Sequence, residues 1–293
     1  MEESDSRVLP QFESNGECLS RSDDESAYAE IIVIRHGETE WNATKRMQEI
    51  LEPRVACPWV VARLFQRVTV PHPPSKLITV RISGKSSEEA RAYYEALGHM
   101  DVELNDVGRK QAAAVAHRLS KGPKISVVYS SDLKRALDTA ETIASSCGGL
   151  QVIKDLDLRE RHLGDLQGLV YHEASKICPK AYGALSSHKT NQEIPGGGES
   201  LDQLYDRCTS ALERIGSKHI GERVVVVTHG GVIKSLFERA SPSGQAGWVL
   251  NSSVSIFHLS EGDIWTIKSW GDVSHLNQTE YLTSAFGGDG TSG

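Results

Sequence analysis

Two runs of consecutive β-branched residues, Ile31-Ile32-Val33-Ile34 and Val224-Val225-Val226-Val227, set the tightest limit on the fold. Four apolar residues in a row leave a strand no polar face, so each strand must be covered on both sides, as in a parallel sheet sandwiched by helices. The first run opens into Arg35-His36-Gly37 and the second into Thr228-His229-Gly230-Gly231. Ligand sites of open α/β sheets lie where loops leave the carboxyl ends of strands. The pattern therefore places two histidines, each followed by glycine, at one end of a sheet.

The rest of the chain supplies the covering helices. From Asp106, the residues Val107, Ala114, Val115 and Leu119 form a helical face until Gly122-Pro123 breaks it ahead of a strand at Ile125 to Tyr129. Ser131 or Asp132 is placed as the N-cap of the next helix, with Leu133, Ala136, Leu137, Ala140, Ile143 and Ala144 on one face. A short strand is expected at Gln151 to Ile153, and a polar helical stretch from Tyr171 to His188, punctuated by Pro179. Ser200 and Gln203 have capping-box spacing before a helix whose stripe is Leu201, Leu204, Tyr205, Cys208, Leu212 and Ile215. The second apolar run makes a strand from Arg223 to Thr228, followed by a helix from Gly231 to Ala240. A hairpin turning at Glu261-Gly262-Asp263 joins Ser253 to Leu259 with Ile264 to Trp270. This alternation predicts an α/β fold with a mostly parallel central sheet.

Charge divides the chain. Residues 1–30 hold nine acidic residues against Arg7 and Arg21, which accounts for the whole net charge of −7. They read as a disordered acidic tail, as does the Gly/Ser/Thr-rich stretch 283–293 at the other end. The body is balanced and lacks the basic stripe that nucleic acid requires. No run of about 20 apolar residues is present, so no spanning helix is expected. The first 30 residues lack a secretory or organellar pattern, which predicts a cytoplasmic protein. The five cysteines never form a C-x-x-C pair, as expected of reduced thiols rather than disulfides or a zinc site.

The paired histidines point to phosphate chemistry. Glycine lets backbone N–H groups approach an anion, and a helix starting beside Gly230 presents its positive end to the same region. A phosphoryl dianion calls for several donors, and guanidinium supplies a planar fork. Arg35 adjoins His36, and Arg135 lies one turn into the helix after the Ile125 strand. Taken alone, Arg135 reads as a surface residue, and either histidine as a satisfied strand-end side chain; the pairing of histidines with arginines changes that reading.

Together "RHGETEWN", "SSDLKRALDTA", "LRERHLGDLQG" and "VVVVTHGG" resemble the histidine phosphatase superfamily, with its phosphoglycerate-mutase-like fold, and in particular its plant members that include metal-independent phosphoserine phosphatases. The resemblance implies a three-layer α/β/α domain over residues 31–282. It implies that His36 attacks phosphorus, that Arg35, Arg135 and His229 hold the phosphoryl oxygens, and that Glu160 handles the leaving-group proton. Asn42, Gln48, Gly98 and Gly230 would line the phosphate pocket, and Arg161 would meet a substrate carboxylate. No metal or cofactor is implied, because a neutral histidine nitrogen surrounded by cations suffices for the transfer. The partner that the resemblance implies is a small phosphorylated metabolite.

Two points stay open in the sequence. Members of this family either hydrolyse phosphomonoesters or move a phosphoryl group within a substrate. The mutases carry a long basic, proline-rich loop between the acid and the second histidine, and no such run separates Glu160 from His229, so hydrolysis is expected. Residues 49–97 form the second point. They hold five of the ten prolines and no sustained period, and removing them joins Arg46-Met47-Gln48 to Gly98-His99-Met100 as an uninterrupted family sequence. This insert leaves a catalytically impaired phosphoester-binding module as an alternative to an enzyme.

Overall fold

The computed structural model describes residues 28–44 and 101–276. Residues 49–97, Gln48 and Gly98, and the two terminal tail assignments except residues 28–30, lie outside the described residues.

The described residues build a six-stranded sheet flanked by helices. In chain order the elements are β1 (Tyr28–Arg35), α1 (Glu40–Ala43), α2 (Asp106–Ser120), β2 (Val127–Ser130), α3 (Lys134–Ser146), β3 (Val152–Lys154), α4 (Tyr171–Ile177), α5 (Pro179–Leu185), α6 (Leu201–Lys218), β4 (Arg223–Thr228), α7 (Gly230–Ala240), β5 (Val254–Ser260) and β6 (Ile264–Asp272). The strand order is β3-β2-β4-β1-β5-β6. The first four strands are mutually parallel, and the β5–β6 hairpin adds two antiparallel pairings beside β1. The sheet is thus mixed, parallel through its centre and antiparallel on one side.

The two apolar runs behave as their composition demands. In β1, Ile31 and Val33 pack with Leu204, Cys208, Leu212 and Ile215 of α6 and with Val232 and Leu236 of α7. Their alternates Ile32 and Ile34 pack on the other face with Val115 and Leu119 of α2 and with Ala136, Ala140 and Ile143 of α3. Val224 and Val226 join the first core, Val225 and Val227 the second. One residue of register therefore separates the two cores, and a slip would exchange every contact.

Several element ends differ from the sequence reading. β1 begins at Tyr28, so residues 28–30 belong to the sheet rather than to the acidic tail: Ala29 is fully buried opposite Leu259, and Glu30 pairs with Arg223. α3 starts at Lys134 with Leu133 as its N-cap, and neither Ser131 nor Asp132 caps it. The acceptor comes from elsewhere: both Asp101 carboxylate oxygens receive the Lys134 N–H at 3.0 Å. The 171–188 stretch resolves into two helices, with Pro179 opening the second, where its missing N–H costs nothing. These helices bury a small core of their own with Leu163, Leu166, Leu169 and Ile194.

Candidate active site

The site follows from strand register. Arg35 and Thr228 are partners on the central strands β1 and β4, so the next residue of each, His36 and His229, emerges at the same sheet end. The His36 N–H donates to Thr228 O at 3.0 Å, and the two imidazole centroids are 5.0 Å apart. β2 ends beside β4, with the Ser131 N–H donating to Val227 O at 3.0 Å. The chain then turns into α3, whose second residue is Arg135. Arg35 and Arg135 are each 1% exposed, a degree of burial that arginine shows only in a built site or a paired cluster.

His36 Nδ1 lies 2.7 Å from Gly37 O. A carbonyl only accepts, so a neutral ring carries its proton on Nδ1 and keeps the lone pair of Nε2. Burial, then the positive charges of Arg135 and Arg35, hold the His36 pKa well below its usual value, which outweighs the opposing pull of the Gly37 bond. His229 is depressed in the same way by burial and Arg135, with His36, Arg35 and Arg207 adding to it. Both rings are therefore neutral at pH 7.

The segment 249–253 holds the main chain at Arg35 and His36. Arg35 Nη1 donates to Val249 O. The Ser252 N–H reaches Arg35 O at 3.0 Å and His36 O at 3.2 Å, and Asn251 Nδ2 donates to His36 O at 3.1 Å. Ser252 takes a left-handed backbone (φ 56) to do so.

Glu160 is 6% exposed and sits between two backbone donors. Arg161 N–H reaches Oε1 at 2.9 Å, and Gly231 N–H reaches both carboxylate oxygens at 3.1 Å. The first turn of α7 thus fixes the carboxylate beside His229, the N-cap of that helix. Gly230 is the first residue of α7 and is buried.

The remaining expected residues divide. Asn42 is buried near His36, but its Oδ1 accepts the Thr39 N–H and hydroxyl at 3.1 Å each and the Asn251 amide at 3.2 Å, so this oxygen closes a capping box. Arg161 is 3% exposed, and its Nε donates to Glu199 O at 3.1 Å. Gln48 and Gly98 lie outside the described residues.

Three side chains escape sequence reading. Ser131 Oγ contacts His229 Nε2 at 2.8 Å. Thr139 Oγ1 accepts the Gly37 N–H at 3.2 Å and donates to Arg135 O at 2.8 Å, tying the loop after the first histidine to the turn that carries the second arginine. Arg207 of α6 donates to the loop bearing Glu160. Only Arg207 left a signal: it interrupts the buried Leu204, Cys208, Ala211 stripe of an otherwise regular amphipathic helix. Among the described residues, no group of three or more His, Cys, Asp or Glu side chains is arranged to hold a metal ion. No described helix is long and apolar enough to cross a membrane.

Comparison with known proteins matches this arrangement to a family. The model of the histidine phosphatase superfamily (branch 1) matches residues 85–273. Phosphoglycerate mutase-like protein 4 of Arabidopsis thaliana is 55% identical over 94% of this chain and 99% of its own length. The metal-independent phosphoserine phosphatase of the same plant is 42% identical over 90% of each chain. Among solved structures, a mycobacterial glucosyl-3-phosphoglycerate phosphatase in complex with VO3 superposes with a TM-score of 0.55 at 27% identity, covering 83% of this chain and 98% of that one. The chain belongs to the histidine phosphatase superfamily, and it is a phosphatase with the phosphoglycerate-mutase-like fold.

Proposed function

We propose that the protein hydrolyses small phosphomonoesters through a phosphohistidine at His36, without a metal ion. The Nδ1–Gly37 bond carries this reading, because it leaves a buried, neutral Nε2 beside two guanidinium groups and a second histidine. Nε2 attacks phosphorus, the bond from phosphorus to the ester oxygen breaks, and that oxygen takes a proton from the Glu160 carboxyl group. Water then attacks the phosphohistidine, returning a proton to the Glu160 carboxylate as the P–N bond breaks and phosphate leaves. Arg35, Arg135 and His229 supply donors to the phosphoryl oxygens, which is the electrostatic work a metal ion would otherwise do.

The substrate class rests on the relatives and on Arg161. A relative at 42% identity is named for phosphoserine, a small phosphorylated acid, and Arg161 beside the Glu160 carboxylate is the cation we assign to such a carboxylate. Gly230 and Asn42 line the phosphate pocket in this reading, with Gln48 and Gly98 as its further members. Hydrolysis is favoured over retransfer to the product because the segment between Glu160 and His229 lacks a basic, proline-rich cover.

The test is phosphate release from O-phosphoserine in excess EDTA. Activity is expected to persist, to vanish in His36→Ala, and to proceed through an acid-labile phosphoenzyme. Activity lost with EDTA and restored by magnesium would sink the mechanism.

A further inference from the structure

We infer that Arg207 and Glu199 form a positioning pair that aims Glu160, and that this pair sets how well the enzyme handles substrates with poor leaving groups. The inference rests on the role proposed above for Glu160 as proton donor.

Glu160 sits on a stretch with little regular structure of its own: one 3₁₀ turn, Leu156–Leu158, precedes it, and an irregular run follows. Its placement comes from a fork-to-fork ion pair. Arg207 Nε reaches Glu199 Oε1 and Nη2 reaches Oε2, both at 2.8 Å, with the two side chains about one-fifth exposed. The outer face of the same guanidinium donates to the loop: Nη1 to Asp157 O at 2.8 Å and Arg159 O at 2.9 Å, and Nη2 to Glu160 O at 3.3 Å. Glu199 grips the far side, Oε2 accepting the His162 N–H at 2.9 Å while its own N–H donates to His162 O at 2.8 Å. The main chain is therefore fixed immediately before, at and after residue 160. The Glu160 carboxylate is then fixed by Gly231.

Only arginine fits this place. Five acceptors are served by one planar group, and a lysine ammonium offers three donors without the fork. Glu199 has a matching reason to be charged, since a carboxylate accepts a bidentate arginine and an amide hydrogen together. Both residues act on the main chain around Glu160, which makes them positioning residues rather than catalytic ones.

A misaimed acid harms alkyl esters most. An alkoxide leaves poorly without a proton, whereas p-nitrophenolate leaves without one. The value of kcat/KM reports steps up to formation of the phosphoenzyme, so the ratio of kcat/KM for O-phosphoserine to that for p-nitrophenyl phosphate isolates the acid's contribution. This ratio is independent of how much of a variant is folded. Arg207→Lys and Glu199→Gln are each expected to lower it about tenfold or more, with Glu160→Gln lowering it further. If Glu160→Gln lowers the ratio but Arg207→Lys and Glu199→Gln leave it at the parent value, the positioning inference fails while the acid role stands. If Glu160→Gln leaves the ratio unchanged, the acid role fails and the inference with it.

Discussion

Ser131 Oγ stands 2.8 Å from His229 Nε2, the contact that links the end of β2 to the second histidine of the site. The same oxygen accepts the Leu133 N–H at 3.3 Å. The sequence offered Ser131 as a helix cap, but the helix begins later and the hydroxyl anchors a ring instead. Ser131→Ala frees a fully buried imidazole to rotate and strips a partner from Nε2. Loss of a buried partner costs about 1–3 kcal/mol. The expected outcome is a fall in kcat of about tenfold with a lower unfolding temperature, measured by steady-state kinetics and thermal melting. An unchanged kcat would mean that the ring is held by packing alone.

Gly231 separates activity from stability. A Cβ built there falls 2.4 Å from Glu160 Oε1, with Leu204 as the next side chain only at 3.5 Å. The group that must give is the tip of the Glu160 side chain, which moves off the Arg161 and Gly231 N–H groups. Gly231→Ala is therefore expected to reduce kcat/KM for O-phosphoserine on the order of a hundredfold, the usual penalty for a misplacement of about 1 Å. Its unfolding temperature should fall only modestly, since the better helix propensity of alanine offsets part of the lost Glu160 bonds. A large fall in melting temperature with activity preserved would contradict the geometry.

The histidines fix the acid side of the stability profile. His36 and His229 are held well below 6.5 by burial first and by Arg135 next, and His275 is lowered to about 4, mainly by burial. Between those depressed values and about 6.5 the unfolded chain takes up protons that the folded chain refuses, so the unfolded state is favoured as pH falls. Each such histidine contributes a slope of at most about 1.4 kcal/mol per pH unit in that window, and nothing above it. Denaturant midpoints should be flat with respect to these groups above pH 6.5 and fall below it. The acidic limb of kcat/KM assigned to His36 should lie under 6.5, and a limb centred at the ordinary histidine value would show the His36 ring to be solvated.

Local pattern and long-range pairing differ in how far they are legible. The capping box of Ser200 and Gln203, the stripe of α6, the two central strands and the turn of the β5–β6 hairpin all follow from residues within one element, where period and capping chemistry decide. Arg35, His36 and His229 were legible because strand ends and glycine mark them. Asp101 capping α3, Ser131 reaching His229 and Arg207 gripping the 157–160 loop each join elements far apart in sequence, and no periodicity encodes such a partner. Arg161 and Asn42 show the same limit, since no local pattern encodes the Glu199 carbonyl or the Asn251 amide that the structure sets against them.

On either side of residues 49–97 the described residues hold one another at the corner between the loop after β1 and α2. Thr39 bridges to Leu104, Asn105 N–H donates to Glu38 O at 3.0 Å, and Asn105 Nδ2 donates to Glu38 Oε1 at 2.7 Å. The Glu38 N–H reaches Gln111 Oε1 at 2.9 Å, and Gly37 and Gly108 approach so closely that a Cβ on either would strike the other segment's backbone at 2.4 Å or less. Asp101 then locks the returning chain to α3, the helix of Arg135. These contacts join the described residues on both sides of the interruption directly, and on them we propose that the corner keeps its place when residues 49–97 are removed. Lengthening a loop costs only about 0.6 kcal/mol per doubling, so deleting residues 49–97 should stabilise the fold by on the order of 1–2 kcal/mol. Turnover of O-phosphoserine by the deletion variant is expected to match the full chain within about twofold. A rise of a hundredfold or more on deletion would show that the segment displaces the corner, because that is the scale on which a pocket misplaced by about 1 Å responds.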